Sequence, residues 1–186
     1  MKQYSAFTLY LSAVGLTAPK ILMQHRSADA PRYPSQWGFF GGGVYPGEMF
    51  LHAADREAYE ELRISLFRPK YLGVFDVDQE SQTALYVIPF SQCAGLADLK
   101  QRQQEGDDLG LFTLDELAAR EDVVESDRVL LRAIGDWFES SSEGWSDDFV
   151  RFMVDTPSQY DSTCRALATE VMEHRRSNHG RSNRAG

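Results

Sequence analysis

Apolar and polar residues alternate along several short stretches of the chain, and this alternation is typical of β-strands with one buried face. It is clearest near the start, where Phe7, Leu9 and Leu11 alternate with Thr8, Tyr10 and Ser12. The pattern predicts strands over residues 4–14, 21–25, 37–40, 71–77, 83–90 and 109–112. A turn at residues 15–19 joins the first two strands as a hairpin. Residues 26–36 contain two prolines and several polar residues, so we expect an irregular loop there.

Other stretches have helical periodicity. Residues 49–62 are rich in alanine and contain no internal proline or glycine, with an expected buried side formed by Leu51, Ala54, Ala58 and Leu62. Thr113 followed by Glu116 predicts a capping box that opens a short helix over residues 114–120. Residues 126–138 are amphipathic, with a predicted buried side formed by Val129, Leu130, Ala133 and Trp137. Residues 91–106 are polar and predict no clear element. Strands interrupted by helices in this order predict an α/β fold, an α/β/α sandwich in which a mixed sheet lies between helices.

The C-terminal part differs in composition from the rest. Residues 139–147 have the composition of a linker, and residues 158–175 predict one more amphipathic helix. Its apolar stripe favours packing on the same domain, with a homodimer contact as the alternative. The predicted organisation is therefore a domain over residues 1–140, a C-terminal helical extension over residues 141–174 and a basic, disordered tail over residues 175–186.

Charge and cysteine content restrict the class of protein. The 186 residues carry a formal net charge of −9, which does not favour a broad nucleic-acid-binding face. Four arginines lie in the last thirteen residues without an acid, so a phosphate or nucleic-acid contact there is the alternative to a solvated tail. The two cysteines, Cys93 and Cys164, give no disulfide framework, which fits a cytoplasmic location. No apolar run approaches the roughly 20 residues of a membrane span, so we expect a soluble protein.

Charged residues are concentrated at fixed offsets in the segment from Gly42 to Ile64: Glu48, Arg56, Glu57, Glu60 and Glu61. On a helix the last three acids fall within an arc of roughly 100°. Like charges one turn apart destabilise an isolated helix by a few tenths of a kcal/mol. A divalent cation would reverse that repulsion, because carboxylate oxygens are the ligands that Mg²⁺ and Mn²⁺ prefer. The glycines at residues 41–43 are expected to form a loop that a phosphate can approach closely.

The order of these residues resembles the Nudix box, which is G, five residues, E, seven residues, then R-E-U-x-E-E-x-G-U, where U is bulky and apolar. Gly42 is followed after five residues by Glu48, and after seven more by REAYEELRI at residues 56–64. Ala58 is smaller than usual, and Arg63 stands where the family has glycine. A solvated surface helix is the alternative for a bare pattern of acids, but here the glycine, the Pro46-Gly47 turn and both gaps coincide.

The resemblance implies the α/β/α Nudix fold and a pyrophosphohydrolase that acts on a nucleoside diphosphate linked to another group. It also implies Mg²⁺ as cofactor, with Mn²⁺ as an alternative. The implied metal ligands are Glu57, Glu60 and Glu61, one of which would also accept a proton from water. Glu48 would support the loop or bind metal through water, Arg56 would orient the carboxylates, and Gly42 and Gly43 would shape the substrate loop.

Candidate residues outside the box are less sharply defined. Arg26 and Arg32, with Tyr33, lie in the predicted loop and are candidates for contacting phosphate or base. An additional metal ligand is sought among Glu80, Glu105, Asp107 and Asp108, although each alone is more often a solvated loop acid. The spacing of His25 and His52 predicts no zinc site.

Two other functions compete with a small-nucleotide hydrolase. A Nudix-like domain can sense a nucleotide without cleaving it, although such domains usually lack some of the acids present here. The basic tail leaves RNA with a 5′-phosphorylated end as an alternative substrate. The expected partner is a small nucleotide, either a nucleoside triphosphate or a nucleoside diphosphate derivative.

Overall fold

A computed structural model describes residues 2–12, 19–90, 93 and 95–138. Within them the strands are β1 Gln3–Ser12, β2 Lys20–His25, β3 Trp37–Gly38, β4 Phe40–Gly43, β5 Lys70–Asp76, β6 Ser81–Pro89 and β7 Asp108–Phe112. The helices are α1 Phe50–Leu62, α2 Leu96–Arg102, α3 Leu114–Ala119 and α4 Glu125–Phe138. The predicted strands and the predicted helices 49–62, 114–120 and 126–138 are therefore confirmed within the described residues. The end of the predicted first strand, residues 13–14, and most of the predicted turn at residues 15–19 lie outside them.

The strands form one mixed sheet with β1 at its centre. The strand order is β3-β2-β1-β6-β5, while β4 pairs with β1 and β7 pairs with β2. β1 runs parallel to β6 from Gln3↔Ser81 to Leu11↔Pro89, and antiparallel to both β2 and β4. Leu9, Tyr10 and Leu11 are consecutive and fully buried, as expected of a strand that is covered on both faces.

Helices cover both faces of the sheet, which confirms the α/β/α sandwich. On one face, Leu11, Met23 and Leu85 from the sheet pack in one cluster with Leu130 and Ile134 of α4. On the other face, two adjoining clusters hold α1 and α2: one contains Tyr10, Leu22, Phe40, Leu62 and Leu99, and the other contains Ala6, Ala53, Ala54, Ala84 and Tyr86. The small alanine side chains let α1 lie close to β1 and β6.

Three local predictions are wrong. The glycines at residues 41–43 lie in β4, paired with β1 from Ser5↔Gly43 to Phe7↔Gly41, and not in a loop. Residues 91–106 contain α2, which is short and has one fully buried residue, Leu99, so its periodicity is too weak to detect. Leu51 is partly exposed, because α1 turns Ala53 rather than Leu51 toward the sheet.

The predicted buried side of α4 is also displaced by one residue. Its buried apolar residues are Leu130, Leu131, Ile134 and Phe138, so Leu130 alone was assigned correctly. The capping box of α3 is present as predicted, since Thr113 accepts a hydrogen bond from the Glu116 amide and Glu116 accepts one from the Thr113 amide.

The predicted linker, C-terminal helix, homodimer contact and basic tail lie outside the described residues. Within those residues, none of the helices combines the length and the apolar character that a membrane span requires. Cys93 is a free, buried thiol.

Candidate active site

The helix α1 presents its acids at two different depths. Its apolar side is fixed against the sheet by Ala54, Ala58 and Leu62, each at most 1% exposed. The side chain of Glu60 is half exposed, whereas Glu61 is buried. The carboxylates expected within one arc of the helix therefore differ in burial, with Glu60 open to solvent and Glu61 enclosed.

The guanidinium of Arg56 gathers three carboxylates. Its Nε and Nη2 donate to the two oxygens of Glu48, at 2.9 and 3.0 Å. Its Nη1 donates to Glu57 Oε1 at 2.6 Å and to Glu60 Oε2 at 3.1 Å. Nη2 also donates to the carbonyl of Gly43 at 2.8 Å, which ties the cluster to β4. This geometry fits the orienting role that the resemblance implied for Arg56.

Glu48 fixes the turn that leads into α1. Its Oε2 accepts a hydrogen bond from the Tyr45 amide at 2.9 Å, while both oxygens bind Arg56. The hydrogen bonds from Arg56 hold the pKa of Glu48 below its ordinary value. The Tyr45 ring lies against the same guanidinium, with 4.1 Å from the Arg56 Cζ to the ring centroid.

Gly42 lets the Glu57 carboxylate approach the backbone of β4. A Cβ at Gly42 would overlap the Glu57 carboxylate, whose Cδ would lie 2.6 Å away. Burial raises the pKa of Glu57, and the nearby negative charges of Glu60 and Glu105 raise it further. The bond and the charge of Arg56 lower the same pKa, but by less.

Glu61 lies behind β4 in a separate hydrogen-bonded group. Gln24 Nε2 donates to Glu61 Oε1 at 2.8 Å, and the Gly41 amide donates to Oε2 at 2.9 Å. Burial outweighs these bonds and raises the pKa of Glu61 to about 8.

Glu105 is the acid outside the box that lies near this group. Its charge contributes to the raised pKa of both Glu57 and Glu61. The other three candidates are engaged elsewhere: Asp107 binds His25 Nδ1 at 2.5 Å, Asp108 binds Lys100 at 2.6 Å, and Glu80 lies in the turn before β6.

The donor atoms of the cluster fit a hard divalent cation. Glu57 and Glu60 each give one oxygen to Arg56, so the second oxygen of each carboxylate can serve as a ligand. In the part of the chain that the structure describes, no group of three acids, histidines or cysteines is already arranged to hold a metal ion. The cation that pairs with these carboxylates is the guanidinium of Arg56, through Glu48, Glu57 and Glu60.

A pocket of about 340 Å³ adjoins the acids across β4. It is lined by Gly42 and Gly43 together with Arg26, Arg32, Tyr33 and Asp127. The predicted loop is folded inward, because Arg26 Nε donates to the Arg32 carbonyl at 2.9 Å and the Arg26 amide to the Gln36 carbonyl at 2.9 Å. The structure therefore brings Arg26 and Arg32 to the wall of this pocket.

Sequence reasoning missed two buried polar residues at the site. Asp127, 3% exposed, accepts a hydrogen bond from the Phe39 amide at 2.8 Å, and burial raises its pKa to about 7. Gln24, 1% exposed, bridges Glu61 and the Phe39 carbonyl. A signal existed in both cases, since each is a polar residue in line with a buried apolar stripe.

The fold and the clustered acids together define a Nudix-type domain. A family model described as NUDIX domain matches residues 7–134, and the chain belongs to this family. Diphosphoinositol polyphosphate phosphohydrolase 2 of Rattus norvegicus is 40% identical over 65 residues, which are 34% of this chain and 36% of that protein. The match thus spans about a third of the length of that relative.

Solved structures agree on the fold. The MutT NUDIX hydrolase of Burkholderia pseudomallei superposes with a TM-score of 0.51 at 22% identity, over 72% of this chain and 98% of that one. A bifunctional NMN adenylyltransferase/ADP ribose pyrophosphatase of Francisella tularensis, solved with AMP and a manganese ion, gives a TM-score of 0.55 at 17% identity, over 73% of this chain and 42% of that one.

Proposed function

We propose that the protein is a Mg²⁺-dependent pyrophosphohydrolase that cleaves a phosphoanhydride bond in a nucleoside triphosphate or a nucleoside diphosphate derivative. One observation carries the proposal. Arg56 gathers Glu48, Glu57 and Glu60 beside a pocket that shares Gly42 and Gly43 with the acid cluster. A phosphate chain whose nucleoside lies in the pocket would therefore reach the acids across β4.

The acids are assigned by where they lie. Glu57 and Glu60 are the proposed ligands of Mg²⁺ or Mn²⁺, with Glu48 holding Arg56 and the turn. A bound cation supplies neutralisation of phosphate charge and a lowered pKa of nearby water. Glu61 joins the ligands only if its bonds to Gln24 and Gly41 rearrange.

Glu57 is our candidate for the proton acceptor. Its carboxylate lies against Gly42, which also lines the pocket. Burial raises its pKa above the ordinary value, which makes it a stronger base than an exposed carboxylate. Glu105 is the proposed additional acid, because its charge reaches both Glu57 and Glu61.

The pocket favours a nucleoside over a ring that carries many phosphates. Its two cationic side chains, Arg26 and Arg32, are offset by Asp78 and by Asp127, whose raised pKa of about 7 leaves it partly protonated near neutral pH. Tyr33, which is exposed, adds aromatic surface suited to a planar base. The substrate in the name of the rat relative, a diphosphoinositol polyphosphate, bears several phosphates on its inositol ring. Binding such a ring would require a clear excess of cationic side chains. The described pocket does not have that excess.

The test is product formation from a panel of nucleoside triphosphates, nucleoside diphosphate derivatives and a diphosphoinositol polyphosphate. For substrates with a terminal phosphate group the product is free phosphate or pyrophosphate, and for nucleoside diphosphate derivatives it is the nucleoside monophosphate together with the phosphorylated second group. Each substrate is assayed with Mg²⁺, with Mn²⁺ and with EDTA. We expect metal-dependent release from a nucleotide, reduced by orders of magnitude in Glu60→Gln. Glu121→Gln is the matched control, because Glu121 is an exposed acid outside the cluster.

Three results would contradict all or part of the proposal. Equal turnover in Glu60→Gln and wild type would show that Glu60 has no role in the reaction. Nucleotide binding without turnover of any substrate would favour the sensor instead of the enzyme. Turnover of the inositol compound alone would keep the reaction and replace the substrate.

A further inference from the structure

Arg63 adopts a backbone conformation that normally belongs to glycine. It ends α1 in the left-handed region, with φ 57° and ψ 39°, and its amide donates to the Tyr59 carbonyl at 3.0 Å. A residue with a Cβ is strained there, whereas the glycine of the Nudix box is not. The strain at this position suggests that the side chain of Arg63 has a role that glycine could not perform.

The Arg63 side chain reaches the segment that follows α2. Its Nη2 donates to Gln104 Oε1 at 3.2 Å, and its guanidinium lies over the Tyr59 ring at 5.3 Å. The amide group of Gln104 is oriented for this contact, because its Nε2 donates to the Arg102 carbonyl at 2.6 Å. The backbone amide of Gln104 also donates to the Glu61 carbonyl at 2.8 Å, at the last turn of α1.

A second anchor holds the other end of this segment, residues 103–107. The Asp107 amide donates to the His25 carbonyl at 2.9 Å, at the end of β2. Gly106 has φ 76° and packs so tightly that a Cβ there would lie 2.5 Å from the same carbonyl. Glu105 lies between the two anchors, and Gln103 Nε2 donates to its carbonyl at 2.8 Å.

We propose that Arg63 is a positioning residue, which fixes residues 103–107 against the end of α1 and thereby holds the Glu105 carboxylate beside Glu57 and Glu61. The backbone bonds support this placement, because the Gln104 amide donates to the Glu61 carbonyl at 2.8 Å and so holds the residue before Glu105 against the last turn of the helix that bears these acids. The inference rests on the proposed function for its effect on turnover. The fixing of the segment itself is independent of any activity.

The test compares Arg63→Gly, Arg63→Lys and wild type by two measurements. The first is amide hydrogen exchange at Gln104 and Glu105, read by NMR on the full chain. The second is kcat and KM for the substrate found above, together with Tm. In Arg63→Gly the backbone is relaxed but the Gln104 contact is lost. We expect faster exchange in the segment, a kcat lower by roughly tenfold, an almost unchanged KM and a Tm that does not fall.

The lysine variant separates the side-chain contact from the backbone effect. A lysine at this position keeps the left-handed strain and one donor for Gln104, so exchange and kcat should stay near the wild-type values. Arg68→Gly is the matched control, because Arg68 is also left-handed, with φ 49°, and is not part of the proposed site. Relief of strain alone would give this control the same Tm change with an unchanged kcat.

Unchanged exchange in Arg63→Gly would overturn the proposal, as would faster exchange with wild-type kcat in an active enzyme. If wild type proves inactive on every substrate while Arg63→Gly exchanges faster only in residues 103–107, the fixing of the segment stands and the proposed function fails.

Discussion

The Glu57 carboxylate occupies the space that a side chain at Gly42 would need. Gly42 lies in β4 and Glu57 on α1, so this one contact sets how closely the acid-bearing helix approaches the strand that lines the pocket. Arg56 closes the arrangement from the other side, through Glu57 Oε1 and the Gly43 carbonyl.

Gly42→Ala should therefore impair the site more than the fold. The added methyl group displaces the Glu57 carboxylate, while alanine in a strand is otherwise tolerated. We expect kcat to fall on the order of 100-fold with a small change in Tm. Gly43→Ala is the comparison, because a Cβ there meets nothing within 4 Å, and it should lose far less activity. Equal losses in the two variants would contradict this account.

Arg56→Lys should be far from conservative. A lysine ammonium cannot reproduce the paired bonds to both oxygens of Glu48 while also reaching Glu57, Glu60 and the Gly43 carbonyl. We expect kcat/KM to fall at least tenfold and the free energy of unfolding to fall by about 1–3 kcal/mol. Steady-state kinetics and urea unfolding provide the measurements. A fully active lysine variant would show that charge alone, and not the fork of the guanidinium, orients the acids.

Asp127 makes stability depend on pH. Its folded-state pKa of about 7 lies above the ordinary 3.8, so the native state binds this proton more tightly than the unfolded chain does. That contribution is complete below about pH 4 and is lost as the pH rises through about 7. Glu61, raised from 4.5 to about 8, acts in the same direction. We expect urea unfolding to report a less stable protein at pH 8 than at pH 5.

Asp127→Asn is the variant that tests whether Asp127 causes this pH dependence of the unfolding free energy. Asparagine keeps an oxygen acceptor for the Phe39 amide but has no titrating proton. The difference in unfolding free energy between pH 5 and pH 8 should shrink in the variant. A variant with the full wild-type difference would place the titrating group elsewhere.

The buried side of α4 can be tested by alanine substitution at two adjacent positions. Leu130 is fully buried in the cluster that joins α4 to the sheet, whereas Val129 is only partly buried. Leu130→Ala should lower the free energy of unfolding by about 2–5 kcal/mol. Val129→Ala should cost about 1 kcal/mol or less, since alanine also favours the helix. Chemical denaturation of both variants checks this, and a reversed order would contradict the burial of Leu130 against the sheet.

The sequence predicts the strands, the signature helix and the sandwich, because these depend on local periodicity and on a motif with fixed offsets. The features that the sequence does not predict depend on contacts between residues far apart in the chain. Residues 41–43 form a strand because β1 offers them hydrogen bonds, although three consecutive glycines alone indicate a loop. The one-residue error in α4 has a similar cause, since the sheet selects Leu131 and Ile134 from an apolar sequence that permits two faces.

The candidate site follows the same division. Arg56 and the acids of the box are recognisable from spacing, but their separation into an Arg56 group and a buried Glu61 requires the position of β4. Four loop acids were equal candidates in the sequence. The fold distinguishes Glu105 from the other three, because its charge acts on Glu57 and Glu61 whereas Asp107 pairs with His25 and Asp108 with Lys100.

The parallel pairing of β1 with β6 also constrains how the molecule is made. Residues of the two strands pair in order, Phe7 with Leu85 and Leu9 with Val87. The paired residues are far apart in the sequence, with most of the described chain between them. Such distant pairing slows folding, because a long loop must close before any contact forms. Ala84 and Tyr86 of β6 complete the surface that receives α1. During synthesis, α1 therefore leaves the ribosome before β6 does. It cannot dock on the sheet until β6 has been made and has paired with β1.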